Sequence, residues 1–356
     1  MIQYICFACE VYGRYDYYGF CLTRRIILVQ QILPYLFSIP VLLPRNPLKN
    51  LNSYVFIGEQ RNLLVDTGFN MPECLESMRA GITELNLDMD KTDIFITHCH
   101  ADHCGLMPEI ASPKATIYMG GVDKKILSQY VGRSDDEYWE RLDDFYVREG
   151  CPPAEMAESR RVNPARNYIP SRNFSSVDLY DGDVFQVDRF AFTCVFTPGH
   201  TPGHMCLYNE KEKIMLTGDH VLFDITPNIT VWVTMENALE KYLQSLRKIK
   251  AYEVVMPLAA HRASNMSLNQ RVDELLLHHD QRLEDVVNII REGGTMDAYQ
   301  VAARMKWSIR ARDWSDFPLS QKRFAVGEAI AHIIYLVDHG RLRRSERAGI
   351  NYYSVL

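Results

Sequence analysis

The string His98-Cys99-His100-Ala101-Asp102-His103 limits what this chain can fold into more tightly than any other part of its 356 residues. It follows the apolar run Ile94-Phe95-Ile96-Thr97. Side chains alternate along a strand with period 2, so a strand ending here delivers the imidazoles of His98 and His100 on one side. A tight turn into a helix then swings Asp102 and His103 toward a neighbouring point. Nitrogen and carboxylate donors at this density suit zinc or a similar first-row metal, as one ion or two. The fold must therefore bring a strand end, a turn and a helix start to one place, and the chemistry expected there is metal-dependent hydrolysis.

Composition narrows the rest mainly by exclusion. The chain is 47% apolar and 24% charged, ordinary values for a soluble globular protein, and its length suits one large domain plus a smaller one. A net charge of −6 gives no general case for nucleic acid or an anionic membrane as partner. The charge is uneven: residues 280–356 hold 12 Lys and Arg against 10 Asp and Glu, net +2, while residues 1–279 hold 27 against 35, net −8. That asymmetry suggests two modules. Nine scattered cysteines with no secretory leader read as reduced thiols in a cytoplasmic protein. Cys6 and Cys9 form a C-x-x-C with no partner pair, and Cys99 and Cys104 read as small buried residues.

Residues 26–43 are apolar, but Gln30, Gln31, Pro34 and Pro40 interrupt them and the stretch is too short for a membrane span. A strand entering a core fits better. Residues 1–28 show no usable period and are set apart as an N-terminal extension.

From Ile32 onward, short β segments alternate with helices. Residues 51–58 and 62–65 predict a hairpin across Glu59-Gln60-Arg61, ending at Asp66-Thr67-Gly68. A helix follows, with Pro72 early and Cys74, Leu75, Met78, Ile82 and Leu85 on one stripe. Strands are expected at 93–97 and 115–119. Residues 122–175 read as a helical insertion, with helices at 135–149 and 153–161 and aromatic residues Tyr138, Trp139, Phe145 and Tyr146 placed to cap a pocket or to pack as ordinary surface helices. Strands return at 184–187, 190–196, 205–209 and 213–216. An amphipathic helix at 236–250 precedes a strand at 253–256. Three helices follow, at 272–291, 296–305 and 321–339, and then a hairpin within 340–356. Strands and helices that alternate in this way predict an α/β layer fold.

Four further features supply donors. Thr197-Pro198-Gly199-His200-Thr201-Pro202-Gly203-His204 puts histidine on a Gly/Pro-rich turn after a strand. Leu216-Thr217-Gly218-Asp219 ends a hairpin in a carboxylate, Pro257 to His261 ends the last strand of the large domain in histidine, and Asp66 ends an early strand. Together with HCHADH these segments closely resemble the metallo-β-lactamase superfamily over roughly residues 32–265. The resemblance implies an αββα sandwich over residues 29–270, with ligands gathered at one edge of two packed sheets. It further implies that His98, His100 and His200 hold one metal, that Asp102, His103 and His261 hold a second, that Asp219 bridges them, and that Asp66 orients ligand histidines. Two Zn2+ ions are expected, with iron or manganese also compatible with the donors. Asp219 stands where class B β-lactamases usually carry cysteine, which argues against β-lactam hydrolysis. The full motif set is similar to that of glyoxalase II, lactonases, tRNA-processing nucleases and thioesterase-like members. His204 is expected to support rather than bind, His220 to line the pocket, and His278, His279 and His339 to be solvated.

Residues 271–356 resemble a winged helix, a pairing found in the β-lactamase-like protein 2 group. Arg341, Arg343, Arg344 and Arg347 give that module some basic surface, but a net of +2 is far from a nucleic-acid footprint. Packing or homodimerisation is favoured for it. The expected activity is cleavage of an ester-like bond in a small molecule, a thioester first, by hydroxide shared between the two ions, with Asp102 and Asp219 as the catalytic carboxylates. A metal-dependent endoribonuclease is the second reading, and a ligand-sensing, nucleic-acid-binding regulator the third.

Overall fold

The computed structural model describes residues 29–133, 136–308 and 311–356. The extension at 1–28, with Cys6 and Cys9, lies outside the described residues.

Seven strands form the first sheet in sequence order: β1 (Gln30–Leu33), β2 (Leu36–Leu42), β3 (Asn50–Phe56), β4 (Asn62–Val65), β5 (Thr92–Ile96), β6 (Ile117–Gly120) and β7 (Val177–Leu179). The first four are antiparallel; from β4 onward the pairing is parallel. The switch follows from the connections. A tight turn joins β3 to β4, whereas helix α1 (Pro72–Glu84) carries the chain back to β5. Pro72 suits the first turn of α1, where its missing N–H is not needed. Pro40 is tolerated inside β2 because β1 reaches only as far as Ser38.

The second sheet runs β12 (Met256–Ala259), β11 (Ile214–Gly218), β10 (Met205–Asn209), β9 (Phe190–Phe196), β8 (Val184–Val187), with only the β11–β12 pair parallel. The last strand begins at Met256 and continues through Pro257, later than the sequence suggests. The proline is accommodated because β12 is an edge strand.

Three apolar clusters define the layers. Phe56, Leu63, Val65 and Phe95 meet Phe185, Phe192, Leu207 and Leu216 between the sheets. Alternate residues of the same strands, Leu64, Ile94 and Ile96, face α1 together with α2 (Ala101–Cys104), α3 (Met107–Ile110) and α4 (Gly121–Leu127). On the far side, Val195, Cys206 and Met215 face α8 (Ala238–Ile249). This gives four layers, α–β–β–α. Between α4 and β7 lie α5 (Glu137–Arg148), α6 (Pro153–Arg161) and α7 (Pro164–Asn167). Tyr138, Trp139 and Tyr146 of α5 are buried in the two outer clusters rather than exposed over a pocket.

Past the sandwich come α9 (Leu268–Gly293), α10 (Ala298–Arg304) and α11 (Leu319–Asp338), then the antiparallel hairpin β13 (Leu342–Arg347) and β14 (Ile350–Val355). A capping box between Asp297 and Gln300 starts α10 at Ala298, later than the start at 296 read from the sequence. The apolar faces of α9 and α11 share one continuous cluster with α8 and the outer face of the second sheet. No helix among the described residues is long and apolar enough to cross a membrane.

His279 departs from the solvated position expected of it: it is fully buried on the stripe that includes Val272, Leu275, Val286 and Ile290. Its Nδ1 donates to Nε2 of buried His332 at 3.1 Å, and His332 Nδ1 donates to the Glu328 carbonyl at 2.7 Å. Burial pushes the His332 imidazole down to about 3, and burial together with the neighbouring His332 holds His279 well below its usual range. Both rings are therefore neutral in the fold, whereas in the unfolded chain they titrate near ~6.5. As pH falls from about 6.5 toward 3 the unfolded chain takes up protons that the fold refuses. Stability should drop by up to about 1.4 kcal/mol per pH unit for each ring. Urea midpoints measured from pH 7 to 5 should fall less steeply for His332→Leu than for wild type.

Candidate metal centre

The site forms where strand ends of both sheets meet. Asp66 follows β4, residues 97–103 follow β5, His200 follows β9, Asp219 follows β11 and His261 follows β12. Each reaches the edge because a strand stops there and the chain turns. At four of these turns the backbone is left-handed: Asp66 has φ +62°, Gly199 φ +140°, Gly218 φ +50° and Arg262 φ +61°. A Cβ on Gly199 would collide with the backbone of Tyr242, so only glycine lets the His200 turn sit this close to α8.

Three imidazole nitrogens converge first. His100 Nδ1 lies 3.0 Å from both His98 Nε2 and His200 Nε2. His200 Nδ1 donates to the Asn228 carbonyl at 2.9 Å, which leaves its Nε2 as a bare lone pair. His98 Nδ1 lies 3.0 Å from the Thr97 hydroxyl, whose proton goes to Asp66 Oδ2 at 2.8 Å, so His98 Nε2 is a lone pair as well. The second gathering holds Asp102, His103 and His261. Asp102 Oδ2 is 3.5 Å from His261 Nε2, and His261 Nδ1 donates to the Asn50 carbonyl at 2.9 Å. His103 Nδ1 donates to Asp66 Oδ2 at 2.7 Å. Asp219 stands between the two gatherings, its Oδ2 3.6 Å from His200 Nε2 and from His103 Nε2, and its Oδ1 3.4 Å from His261 Nε2.

Polar satisfaction tests whether a cation fits. Buried His103 Nε2, His261 Nε2 and Asp219 Oδ1 have no hydrogen-bond partner. A single proton on His100 Nδ1 can bridge it to only one of the His98 and His200 nitrogens, so the other 3.0 Å contact sets lone pair against lone pair unless positive charge lies between them, and buried unpaired donors and acceptors are otherwise rare. The protonation pattern agrees. Burial opposes charge on Asp219, but His261 and His103 outweigh it and hold its carboxyl well below the usual range. Burial likewise opposes charge on Asp102, yet His103 and His261 bring it down to about 2. Burial disfavours charge on His103 too, and Asp66, Asp219 and Asp102 outweigh it and raise that imidazole well above its usual value. This is a cluster of acids and imidazoles that draws in cations, and its donor set fits first-row divalent metals.

All eight residues expected at the site are thus brought to this edge. Of the neighbours, His204 is buried, with Nδ1 at 2.8 Å from the Thr197 hydroxyl and Nε2 accepting the Asp219 N–H at 3.2 Å, so it fixes the turn that presents Asp219. His220 is fully buried against Tyr242 rather than lining an open pocket. Cys99 and Cys104 are buried, and burial raises both thiols well above their usual range.

Sequence reasoning missed three residues. Asp123, buried at the start of α4, accepts from Cys99 N–H at 2.9 Å, from the Thr201 hydroxyl at 2.6 Å and from Gly203 N–H at 2.5 Å, tying the HCHADH turn to the His200 turn. Trp232 stacks on His100 with ring centres 5.8 Å apart and donates its indole N–H to the His200 carbonyl at 3.1 Å. Asn228 supplies the carbonyl that fixes His200.

Two back-to-back sheets with histidines and carboxylates converging at one edge define a metallohydrolase architecture. The comparisons agree. The model of the metallo-beta-lactamase superfamily matches residues 47–261, and that of the metallo-beta-lactamase-like C-terminal domain matches residues 315–355. The first match alone spans more than half of the chain, and the protein belongs to the metallo-β-lactamase superfamily.

Among similar proteins, the beta-lactamase-like protein 2 homolog of Caenorhabditis elegans is 26% identical over 282 residues, covering 78% of this chain and 79% of that protein. The lactamase-like protein nscB of Aspergillus fumigatus is 25% identical over 246 residues, covering 68% of this chain and 57% of its own. An atrochrysone carboxyl ACP thioesterase of the same species is 24% identical over 266 residues, 75% of this chain and 50% of its own. The chain thus spans only about half to three-fifths of the length of these two fungal relatives. The crystal structure of a metallo-beta-lactamase family protein from Thermus thermophilus superposes with a TM-score of 0.76 at 26% identity, covering 92% of this chain and all of that one.

Proposed function

We propose that this protein is a dinuclear, zinc-dependent hydrolase that cleaves a thioester of a small organic acid. The observation that carries the reading is the convergence of His98, His100 and His200 beside Asp102, His103 and His261, with Asp219 within 3.6 Å of nitrogens in both groups. The name of the fungal thioesterase relative supports a thioester as the bond.

His98, His100 and His200 would hold one ion, Asp102, His103 and His261 the other, and Asp219 both. Ions bound there supply electrophilic activation of a carbonyl oxygen and acidify water. The chain's own residues do the rest. The backbone carbonyls of Asn228 and Asn50 and the Asp66 carboxylate each take one imidazole proton, so His200, His261 and His103 all present Nε2 to the centre. Asp102 keeps an ionised carboxylate beside His261, where it can orient the attacking water and accept its proton. Trp232 covers the His100 ring and gives the substrate an apolar wall.

A test is to offer zinc-loaded protein a panel of acyl thioesters, esters and lactones alongside single-stranded RNA. Thiol release that stops on chelation and resumes on adding zinc is the expected result, and intact thioesters in the presence of metal-loaded protein would contradict it. A ribonuclease is the second reading, favoured by Arg343, Arg344 and Arg347 exposed on β13. Arg341 is engaged by Glu284 at 2.8 Å, which lessens that surface. RNA cleavage lost in Asp102→Ala would support this second reading.

A further inference from the structure

We propose that the C-terminal helices complete the metal centre, because a buried polar strap from α9 and α11 holds the ligand histidine His200 in register. The inference rests on the ligand roles proposed above and assigns a task to a part of the chain that contributes no ligand itself.

The strap can be followed atom by atom. Arg282 on α9 donates from Nη2 to Glu328 Oε1 on α11 at 3.1 Å. The other oxygen of Glu328 accepts from the Asn228 side-chain amide at 3.3 Å, and that amide also lies 3.4 Å from the Phe324 carbonyl. The backbone carbonyl of the same Asn228 receives the His200 Nδ1 proton at 2.9 Å. At the far end, Arg282 Nη1 donates to the Lys306 carbonyl at 2.9 Å, and its guanidinium lies 4.3 Å from the centre of the Trp307 ring. The ligand is thus linked, through one asparagine, to an ion pair between two helices far downstream in the chain.

Three features favour positioning over simple adhesion. Arg282 and Glu328 are 7% and 9% exposed, and a buried ion pair of this kind is seldom more stable than apolar residues of the same shape. Glu328 also adjoins a tight contact between α11 and the loop that follows Asp219. A Cβ on Gly327 would strike the Thr230 hydroxyl, so glycine at that position lets the helix lie against residues 228–230. Finally, a second contact of similar kind runs from α8, where the Tyr242 hydroxyl donates to the His220 carbonyl at 2.9 Å and its ring meets that of His279 on α9 at 5.4 Å. Both ligand turns, that of His200 and that of Asp219, therefore have C-terminal helices behind them.

The chemistry of Glu328 gives a specific test. A carboxylate accepts from Arg282 and Asn228 together. The isosteric amide of Glu328→Gln can accept from only one of them and turns its NH2 toward the other donor. Asn228→Ala keeps the backbone carbonyl but frees it from α11, and since Asn228 is only half-buried this variant should fold. Asp143→Asn serves as control. Asp143 on α5 is bound by Arg323 of α11 at 2.7 Å and by Arg160 at 3.1 Å, an equally buried tie that makes no hydrogen bond to a proposed ligand or to Asn228.

Zinc affinity of the full-length chain, measured by competition with a chromophoric chelator, reads the effect without any substrate. Asn228→Ala and Glu328→Gln should each weaken one of the two ions by about tenfold to a hundredfold and leave the other in place. Asp143→Asn should leave both ions bound as in wild type. The cobalt-substituted variants should show altered absorption bands for the affected ion only. Unchanged affinities in both strap variants would overturn the proposal, as would an equal loss in Asp143→Asn. Wild-type protein that binds no zinc would instead contradict the ligand assignment beneath it, and the inference with it.

Discussion

Replacing Asp219 with alanine should abolish turnover while leaving the fold intact. Its carboxylate approaches nitrogens of both gatherings, His200 on one side and His103 and His261 on the other. The turn that presents it is held independently, by its N–H to His204 and by the pairing of β11. The sheets therefore have no need of the side chain. Loss of at least about three orders of magnitude in kcat/KM is expected, or ~4 kcal/mol of transition-state stabilisation. Circular dichroism should be unchanged and at least one ion should be lost per chain. Activity within about tenfold of wild type would remove Asp219 from the mechanism.

Asp66→Ala should be the most destabilising single change at the site. The Asp66 carboxylate is 2% exposed and accepts three protons: Thr97 N–H at 2.8 Å, the Thr97 hydroxyl at 2.8 Å and His103 Nδ1–H at 2.7 Å. Alanine leaves all three donors buried without an acceptor. At about 1–3 kcal/mol for each unsatisfied group, partly relieved by entering water, a loss of about 4 kcal/mol is expected. His103 also loses the partner that fixes its tautomer, so zinc affinity should fall about tenfold to a hundredfold. Asp66→Asn, which still accepts from one donor, should fall between the two. Denaturant midpoints and zinc competition on the same preparations measure both effects, and an alanine variant as stable as wild type would show that these hydrogen bonds carry little net energy.

The contrast between these acids and the residues that sequence reasoning missed shows what a sequence of this kind reveals. His98, His100, Asp102 and His103 were legible as a candidate site because side chains of metal-binding type cluster within six positions after an apolar strand. Asp66, His200, Asp219 and His261 were legible because each closes a recognisable β segment. The layer order followed from alternation, since Leu63 and Val65 face one way and Leu64 the other.

Asp123 carries no such mark. It reaches Cys99 and Gly203 only after β6 and α4 have been placed between them, across 24 and 80 residues of chain. Glu328 is equally opaque, because a charged residue on a helix reads as solvated until its partner is found on another helix. His279 carries a readable signal. It falls at helical spacing between Leu275 and Leu283 on the buried stripe of α9, and the polar neighbours His278 and Asp280 disguise it. The β12 boundary is hidden at Pro257, because proline is excluded from central strands but not from an edge, and the edge exists only once the sheet order is known.

The central claim, that catalysis belongs to a two-ion centre held by these seven ligands, is tested most directly by reconstitution. Metal should be stripped from the full chain with a chelator, zinc returned in measured portions, and thioester hydrolysis followed against zinc content by plasma mass spectrometry. The account predicts no turnover in metal-free protein and activity that continues to rise until about two equivalents are bound per chain. A plateau at one equivalent, or turnover that survives complete removal of metal, would contradict it.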